Sequence, residues 1–501
     1  MNDNRDSGQN QPTNGGRRNP HSISEVQFAA IKAAARHDGV EFETEPPDGP
    51  PHYIWQKDHI LVDSDVDENS NDHLARLGAV LASRPGGGLQ PIREDLVKVL
   101  RLETPQNFGE LTTAEIVERL NATDDLNGKV FVNNLMYVTH TDGANLCPAS
   151  EPTPMRPYPM TTPYPPPSQD DAGMDVRITV IDTGLSPGWE VDHPWLHQPN
   201  TSGEVYGTPE VTYENVNTKE IAPHAGHGMF IAGLIRCVAP RATVKVVDTM
   251  RWAGAMTEAE VATVIMDELD NDEPDIISLS AGYMIHGGPG SGPKAMLDVM
   301  TRLGRKDCKT VLVAATGNDA HGPTEHGLFF PAAFAAQPGK LDAESRYVHQ
   351  GMLVAVGALR MDRLGRACFS NYGEWVTVYE DGENLVNAFP TGRYTYREPL
   401  SASVPPTCTY YPTGAIEEGC TCLTAPAKGS VALFTGMAAW SGTSFATPLV
   451  VGRIARHMTE VPAVKKNPRG AVRDLLNHRK QITDAGDPNA QLNVFPTPPV
   501  P

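Results

Sequence analysis

The chain has 501 residues, enough for two or three domains and a large core, with 40% hydrophobic and 20% charged residues as in soluble globular proteins. Its formal net charge of −20 argues against a nucleic-acid or anionic-membrane surface role, and no apolar run approaches a transmembrane span. Met1 to Ser22 is polar and lacks the apolar core of a secretory signal, so the seven cysteines are expected to be reduced thiols in a cytoplasmic setting.

Residues 1–45, rich in Asn, Gly, Asp and Arg, read as a disordered segment. Between 50 and 145 a small α+β domain is expected in the order β-α-β-α-β. Its parts are a strand at Ile60-Leu61-Val62, an amphipathic helix from His73 to Leu81 and a strand from Leu96 to Leu102. The capping box at Thr112 and Glu115 then opens a second helix, and Val130 to Val132 with Leu135 to Thr139 supply more strand. The prolines of 148–170 forbid helix and central strand, so this stretch is expected to be an extended, exposed linker.

Beyond the linker, strand and helix alternate. Val176 to Ile181, Thr243 to Val247, Ile276 to Leu279, Thr310 to Ala315, Leu353 to Val356 and Trp375 to Val378 read as strands. Gly228 to Ile235, Thr257 to Leu269 and Pro293 to Leu303 read as helices, the second opened by a capping box at Thr257 and Glu260. This is an α/β pattern with a largely parallel sheet covered by helices on both faces, in which sites gather beyond the carboxyl ends of the strands. Residues 391–439 read as an irregular insertion. After 466 come a helix near Gly470 to Asn477 and a Pro-rich tail.

Four residues fall at that predicted edge. Ser444, in Gly442-Thr443-Ser444-Phe445-Ala446-Thr447-Pro448, opens an apolar helix. Unpaired N–H groups there could hold an oxyanion formed by attack of its hydroxyl, although serine is also a common helix cap. Asp182 ends the first strand, where a carboxylate could orient a histidine or simply shape an Asp-x-Gly turn. His227, at the mouth of the next helix, could take and return a proton or be a solvated loop residue, as His224 is expected to be. Asn318, after a buried strand, could aim its amide at an oxyanion or favour a strand-to-loop turn.

Taken together, these contexts resemble the subtilisin-like serine peptidases (subtilases). The chain order Asp, His, Ser is the subtilisin order. Asp182-Thr183-Gly184 resembles the family's aspartate motif, His227-Gly228-x-x-Ile231-Ala232-Gly233 its histidine motif, and Ser278-Leu279-Ser280-Ala281-Gly282 its substrate-binding strand. Ala315-Thr316-Gly317-Asn318 resembles the oxyanion motif and Gly442 to Pro448 the serine motif. The resemblance spans roughly 172–460. It implies a catalytic domain over 172–465 and a serine endopeptidase acting on protein or peptide substrates. Ser444 would be the nucleophile, His227 the general base and acid, and Asp182 the residue that fixes the imidazole tautomer, with Asn318 and the Ser444 N–H as oxyanion hole. Ser280, Ala281 and Gly282 would pair with extended substrate. Asp319 would either rim the P1 pocket, favouring basic residues, or be a solvated loop carboxylate.

The chain departs from the family pattern at Met229 and Phe230, where Thr and His are usual, and at Phe445, where Met is common. Only Leu234-Ile235-Arg236-Cys237 separates Gly233 from Val238, too short for the loop that carries calcium in many relatives, so no metal and no cofactor are expected. By position, 50–145 resembles the family's propeptide, an intramolecular chaperone and inhibitor whose tail would lie near Tyr137 to Asn145. Cys408, Cys420 and Cys422 cluster in the insertion; Cys237 and Cys368 read as buried hydrophobes. The competing reading is a catalytically weak or inactive peptide-binding pseudoprotease that keeps the cleft.

Overall fold

The computed structural model describes residues 23–496 apart from 24, 49–50, 68–70, 85–92, 105–108, 139–150, 197–202, 286, 289, 321–327, 338–339, 398–427 and 486. Its first element is a helix, α1 (Glu25–His37), followed by β1 (Phe42–Glu45). The reading of 1–45 as disordered therefore fails from residue 25 onward. Phe28, Ile31 and Ala35 recur at helical spacing and bury one side of α1, a periodicity that a composition average hides. Residues 1–22 lie outside the described part.

The small domain continues with β2 (Tyr53–Val62), α2 (Asp72–Arg76), β3 (Ala79–Leu81), β4 (Lys98–Leu102), α3 (Thr113–Asn121) and β5 (Val130–Val138). Strand β2 is hydrogen-bonded between β4 and β5, all antiparallel, and Ile60, Val62, Leu100, Ile116, Leu120 and Val132 pack its core. The helix expected to reach Leu81 stops at Arg76. Gly78 (φ +60°) leaves the helical region there, and Ala79–Leu81 pair with β4 instead. Helix α3 opens on the expected capping box, with Thr112 Oγ1 accepting from the Glu115 N–H and Glu115 accepting from the Thr112 N–H.

The expected linker is not an exposed tether. Glu151 and Pro152 are buried, Thr153–Pro154 form β6, and Tyr164 bridges Val386. Proline bars a segment from central positions only, and β6 is an edge strand whose neighbour Met155 still donates its N–H to Met437 O.

The rest of the chain runs β7 (Arg177–Asp182), α4 (Trp189–Asp192), β8 (Val205–Gly207), β9 (Tyr213–Asn215), β10 (Glu220–Ile221), α5 (His227–Val238), β11 (Thr243–Asp248) and β12 (Ala255–Thr257). It continues with α6 (Glu258–Asn271), β13 (Ile276–Leu279), β14 (Ala281–Met284), α7 (Lys294–Leu303), β15 (Val311–Ala315), β16 (Phe329–Phe330), β17 (Ala336–Gln337) and β18 (Lys340–Glu344). Then come α8 (Arg346–His349), β19 (Leu353–Leu359), β20 (Val378–Asp381), β21 (Leu385–Thr395), β22 (Val431–Trp440), α9 (Thr443–Glu460), α10 (Pro468–Asn477), β23 (Lys480–Asp484) and β24 (Asp487–Val494).

Seven of these strands form one parallel sheet in the order β20-β19-β15-β13-β7-β11-β8. Strands β7, β13, β15 and β19 are apolar almost throughout, as burial on both faces requires. Helices α5 and α9 pack against each other and against this sheet, and α6 packs on α7.

Four further expectations are corrected. The last sheet strand begins at Val378, because Trp375 sits in a turn and its indole N–H donates to Tyr372 O. The capping box at Thr257 does not form; Glu260 instead takes both hydrogen bonds of the Arg84 guanidinium (3.0 and 2.7 Å). The ends of the 391–439 insertion are regular, since β21 and β22 pair antiparallel from Leu385↔Trp440 to Thr395↔Val431. Cys408, Cys420 and Cys422 lie outside the described residues. Within the tail, β23 and β24 form a hairpin, and α10 packs on α9.

Thr112→Ala removes the side-chain acceptor that starts α3. Native-state hydrogen exchange at the Glu115 amide is expected to lose about 1 kcal/mol of protection. Unchanged protection would mean that packing alone sets this helix end.

Candidate active site

The carboxyl edge of the central sheet gathers the predicted residues. Asp182 is the last residue of β7 and is fully buried. Its carbonyl accepts from Thr249 and Met250 N–H, and its Oδ1 accepts from the Thr183 N–H at 2.8 Å. The same Oδ1 lies 2.7 Å from Nδ1 of His227, the first residue of α5.

Two glycines allow this close approach. Gly226 (φ +82°) turns the chain into α5, where a Cβ would meet Pro390 Cδ at 2.3 Å, and a Cβ on Gly228 would meet Gly184 O at 2.8 Å. The imidazole is held edge-on to Trp440 (centroids 5.4 Å apart, 85° between planes) and against Phe445 (5.1 Å). With Nδ1 committed to Asp182, Nε2 is the nitrogen left for exchange.

Ser444 is the second residue of α9, entered through Gly442. Its Oγ donates to Ser280 O at 3.2 Å, and Ser280 Oγ donates back to Ser444 O at 2.8 Å. The neighbouring Phe445 ring, 5.1 Å from the imidazole, sets the serine turn beside α5. Asn318 follows β15 through Gly317 (φ +97°). Its Oδ1 accepts from Thr443 N–H and Thr443 Oγ1, both at 2.9 Å. These two donors from the serine turn identify the oxygen end; the amide nitrogen also lies near that turn, 3.4 Å from where a Cβ on Gly442 would sit. Asp182 touches His227, Asn318 touches Thr443 beside Ser444, and all four predicted residues are at most 2% exposed.

Two loop readings are corrected. His224 is buried rather than solvated, and so is Asp319, whose N–H donates to Asn371 Oδ1 at 2.9 Å. Met229 and Phe230 are wholly buried, with the Phe230 ring 4.7 Å from Phe445 and 5.9 Å from Trp440. Phe230 therefore backs the two rings that hold the imidazole. Cys237 and Cys368 are buried free thiols, as is Cys308. Among the described residues no group of three or more His, Cys, Asp or Glu side chains is disposed to hold a metal.

The strand that follows Ser280 is occupied. In β14, Ala281 pairs with Val138 and Gly282 with Tyr137 of β5, antiparallel, while β12 pairs along the other edge of β5 from Ala255↔Tyr137 to Thr257↔Leu135. The end of β5 therefore runs between two strands of the larger domain, and Tyr137 packs edge-on to Phe329 at 5.9 Å.

Two carboxylates here gave no sequence signal. Glu210, fully enclosed beside Asp182, has its carboxyl pushed up to about 7 by burial, against the hydrogen bonds from Ser186, Gly226, Thr183 and Thr212. Glu258, at the start of α6, is pushed up to about 8 by burial, against the hydrogen bonds from Tyr283 and Asn134. Both depend on contacts between segments far apart in the chain, which periodicity does not report.

Comparison with known proteins finds serine proteases among the relatives of this chain. The chain is 27% identical over 240 residues to the thermophilic serine proteinase of Bacillus sp. strain AK1, covering 46% of this chain and 49% of that protein. It is 24% identical over 245 residues to the intracellular serine protease of Paenibacillus polymyxa, covering 46% and 64%. The matches thus span about half to two thirds of the length of these relatives. Among solved structures, fervidolysin of Fervidobacterium pennivorans, a keratinolytic enzyme related to subtilisin, aligns with a TM-score of 0.48 at 16% identity over 88% of this chain and 60% of that one. Residues 173–494, well over half of the chain, match the Subtilase family, Peptidase_S8, and the chain belongs to that family.

Proposed function

We propose that the protein is a serine endopeptidase whose cleft is held closed by its own N-terminal residues. The observation that carries the first half is the buried 2.7 Å contact between Asp182 and His227, next to a serine at a helix N-terminus. In this mechanism Ser444 Oγ attacks the peptide carbonyl while His227 Nε2 takes its proton. Asp182 holds the Nδ1–H tautomer and stabilises the imidazolium, and His227 returns the proton to the leaving amine. Asn318 Nδ2 and the Ser444 N–H stabilise the oxyanion, and water then hydrolyses the acyl-enzyme along the same path.

A fluorophosphonate probe is expected to label the wild type and not Ser444→Ala. Asn318→Ala should lower kcat on the order of 100- to 1,000-fold, the magnitude known for loss of one oxyanion donor in this family. Equal kcat in Asn318→Ala and the wild type removes Asn318 from the mechanism.

The second half rests on β5, which fills the edge that Ser280, Ala281 and Gly282 would offer to substrate. We propose that the domain at 50–145 is the intramolecular inhibitor and chaperone. Other contacts favour the same docking. Asn133 Oδ1 accepts from the Ala259 N–H (3.3 Å), capping α6 from outside, and Asp63 pairs with Lys294 at 2.6 Å. Helix α1 adds to the closure: Gln27 Nε2 donates to Val138 O at 3.5 Å, and Asp38 accepts from the Trp252 indole at 2.7 Å.

Glu258 makes this docking pH-dependent. It meets Asn134 Nδ2 (3.2 Å) from β5 and Tyr283 Oη from β14, with Asp298 of α7 adding negative charge beside it. Docked, its carboxyl titrates at about 8; freed of β5 it returns toward its ordinary value. A pKa raised on docking means protons are taken up on docking, so the contribution is full below the ordinary carboxylate range and is lost as pH climbs to about 8. The N-terminal segment added in trans is expected to inhibit less well as pH rises from about 5 to 8, by up to about tenfold per pH unit, and Glu258→Gln should flatten that slope. No inhibition at any pH would end the inhibitor reading.

A further inference from the structure

Glu210, in the loop between β8 and β9, takes no part in the mechanism above. Its carboxylate nevertheless gathers donors from three segments. Oε1 accepts from Ser186 Oγ at 2.5 Å and Thr212 Oγ1 at 3.3 Å, Oε2 from Thr183 Oγ1 at 3.0 Å, and the Gly226 N–H reaches both oxygens at 2.8 and 2.9 Å. Two of these donors stand out by position. Thr183 directly follows Asp182, and Gly226 directly precedes His227. Thr183 Oγ1, having donated to Glu210, accepts from the Gly228 N–H at 3.1 Å.

The backbone on both sides of His227 is therefore tied to one carboxylate. Gly226 is bound to it directly, and Gly228 through the residue next to Asp182. Glu210 is itself anchored, its N–H donating to Leu185 O at 3.0 Å while the Leu185 N–H donates to Thr208 O at 2.9 Å. A buried carboxylate is a costly way to fill space, and an apolar side chain of similar volume would serve packing as well or better. What the carboxylate adds is simultaneous hydrogen bonding to donors from separate segments.

We infer that Glu210 is a positioning residue, clamping the Asp182 and His227 backbones so that the imidazole keeps its 2.7 Å contact with Asp182. The inference rests on the serine-peptidase reading. Errors of about 1 Å in such an alignment cost on the order of 100-fold in rate. The charged and titratable groups around Glu210 are Asp182 from β7, His227 from α5, Tyr213 from β9, and Asp248 at the end of β11 with Arg251 beyond it.

The test measures kcat and KM on the full chain with an unstructured protein substrate, alongside thermal unfolding. Glu210→Ala is expected to lower kcat on the order of 100-fold with KM within about twofold. Glu210→Gln, which keeps the shape but puts an NH2 in place of one acceptor oxygen among these donors, should lose part of kcat as well. Thr183→Val should lose kcat as Glu210→Ala does, and Thr183→Ser should recover most of that loss, because only the serine keeps the bridging hydroxyl. An active wild type matched in kcat by Glu210→Ala and Thr183→Val overturns this inference and leaves the peptidase reading intact. Failure of every variant to fold also overturns it, assigning Glu210 to assembly of the fold. A wild type that neither turns over substrate nor accepts the fluorophosphonate probe ends the peptidase reading, and this inference with it.

Discussion

The Asp182–His227 contact is the constraint around which the site is built. Removing a carboxylate and an imidazole from water is unfavourable unless each keeps well-placed partners. At Oδ1 of Asp182 the fold meets that condition, while Oδ2 is buried without a partner among the described residues. The Asp182 carboxylate faces the Thr183 N–H as well as the imidazole, and its carbonyl ends the strand with two further N–H donors. Strand β7 has its apolar neighbours β11 and β13 on either side, so Asp182 cannot be displaced without disturbing the middle of the sheet. Rigidity at this edge comes from sheet register, and the side chains inherit it.

That edge explains the relation between the two halves of the chain. A parallel sheet with helical layers leaves few free strand edges, and the short β12 and β14 are the ones offered near Ser444. Such an edge attracts any extended segment through backbone hydrogen bonds, with little demand on sequence. The chain supplies that segment itself. Strand β5 belongs to the core of the small domain at Val130 and Val132 and to the cleft at Tyr137 and Val138, so docking of one fixes the other. Contacts of Arg84 with Glu260, and of Arg93 with Asp267 and Asp270, then hold the small domain along α6. Only part of Arg84 and Arg93 is buried, so these pairs orient the domain more than they stabilise it.

Most of the sheet was legible in sequence because its strands are apolar on both faces and its helices follow them in regular alternation. The glycine-bearing turns around Asp182, His227, Asn318 and Ser444 were legible for a related reason. Backbones that approach within contact distance tolerate no Cβ, so Gly226, Gly228 and Gly317 mark the site as firmly as the polar residues do. Helix α1 was not legible, because its apolar stretch from Val26 to Ala35 is diluted in the average over the polar, Gly- and Asn-rich residues before it. The strands flanking the insertion escape for another reason: Tyr, Thr and Pro read as irregularity, whereas Tyr394 and Tyr396 are buried and meet edge-to-face at 5.3 Å. Glu210 and Glu258 could not be read at all. An acidic residue in a loop or a first helical turn looks solvated until the fold closes over it.

The departures from the family pattern acquire a physical meaning in this setting. Read in sequence, Met229 and Phe230 raise the possibility of a cleft without turnover. In the structure Phe230, Phe445 and Trp440 pack as one cluster, with Phe445 and Trp440 4.9 Å apart, and His227 rests on it. Phe230 and Phe445 face each other across the helix pair α5 and α9, their rings 4.7 Å apart. An aromatic wall of this kind limits the rotation of the imidazole about its Cβ–Cγ bond and keeps water from the Asp182 side, while contributing no group that competes for the proton. Phe230 therefore stands where it stiffens the histidine, behind the two rings that the imidazole touches.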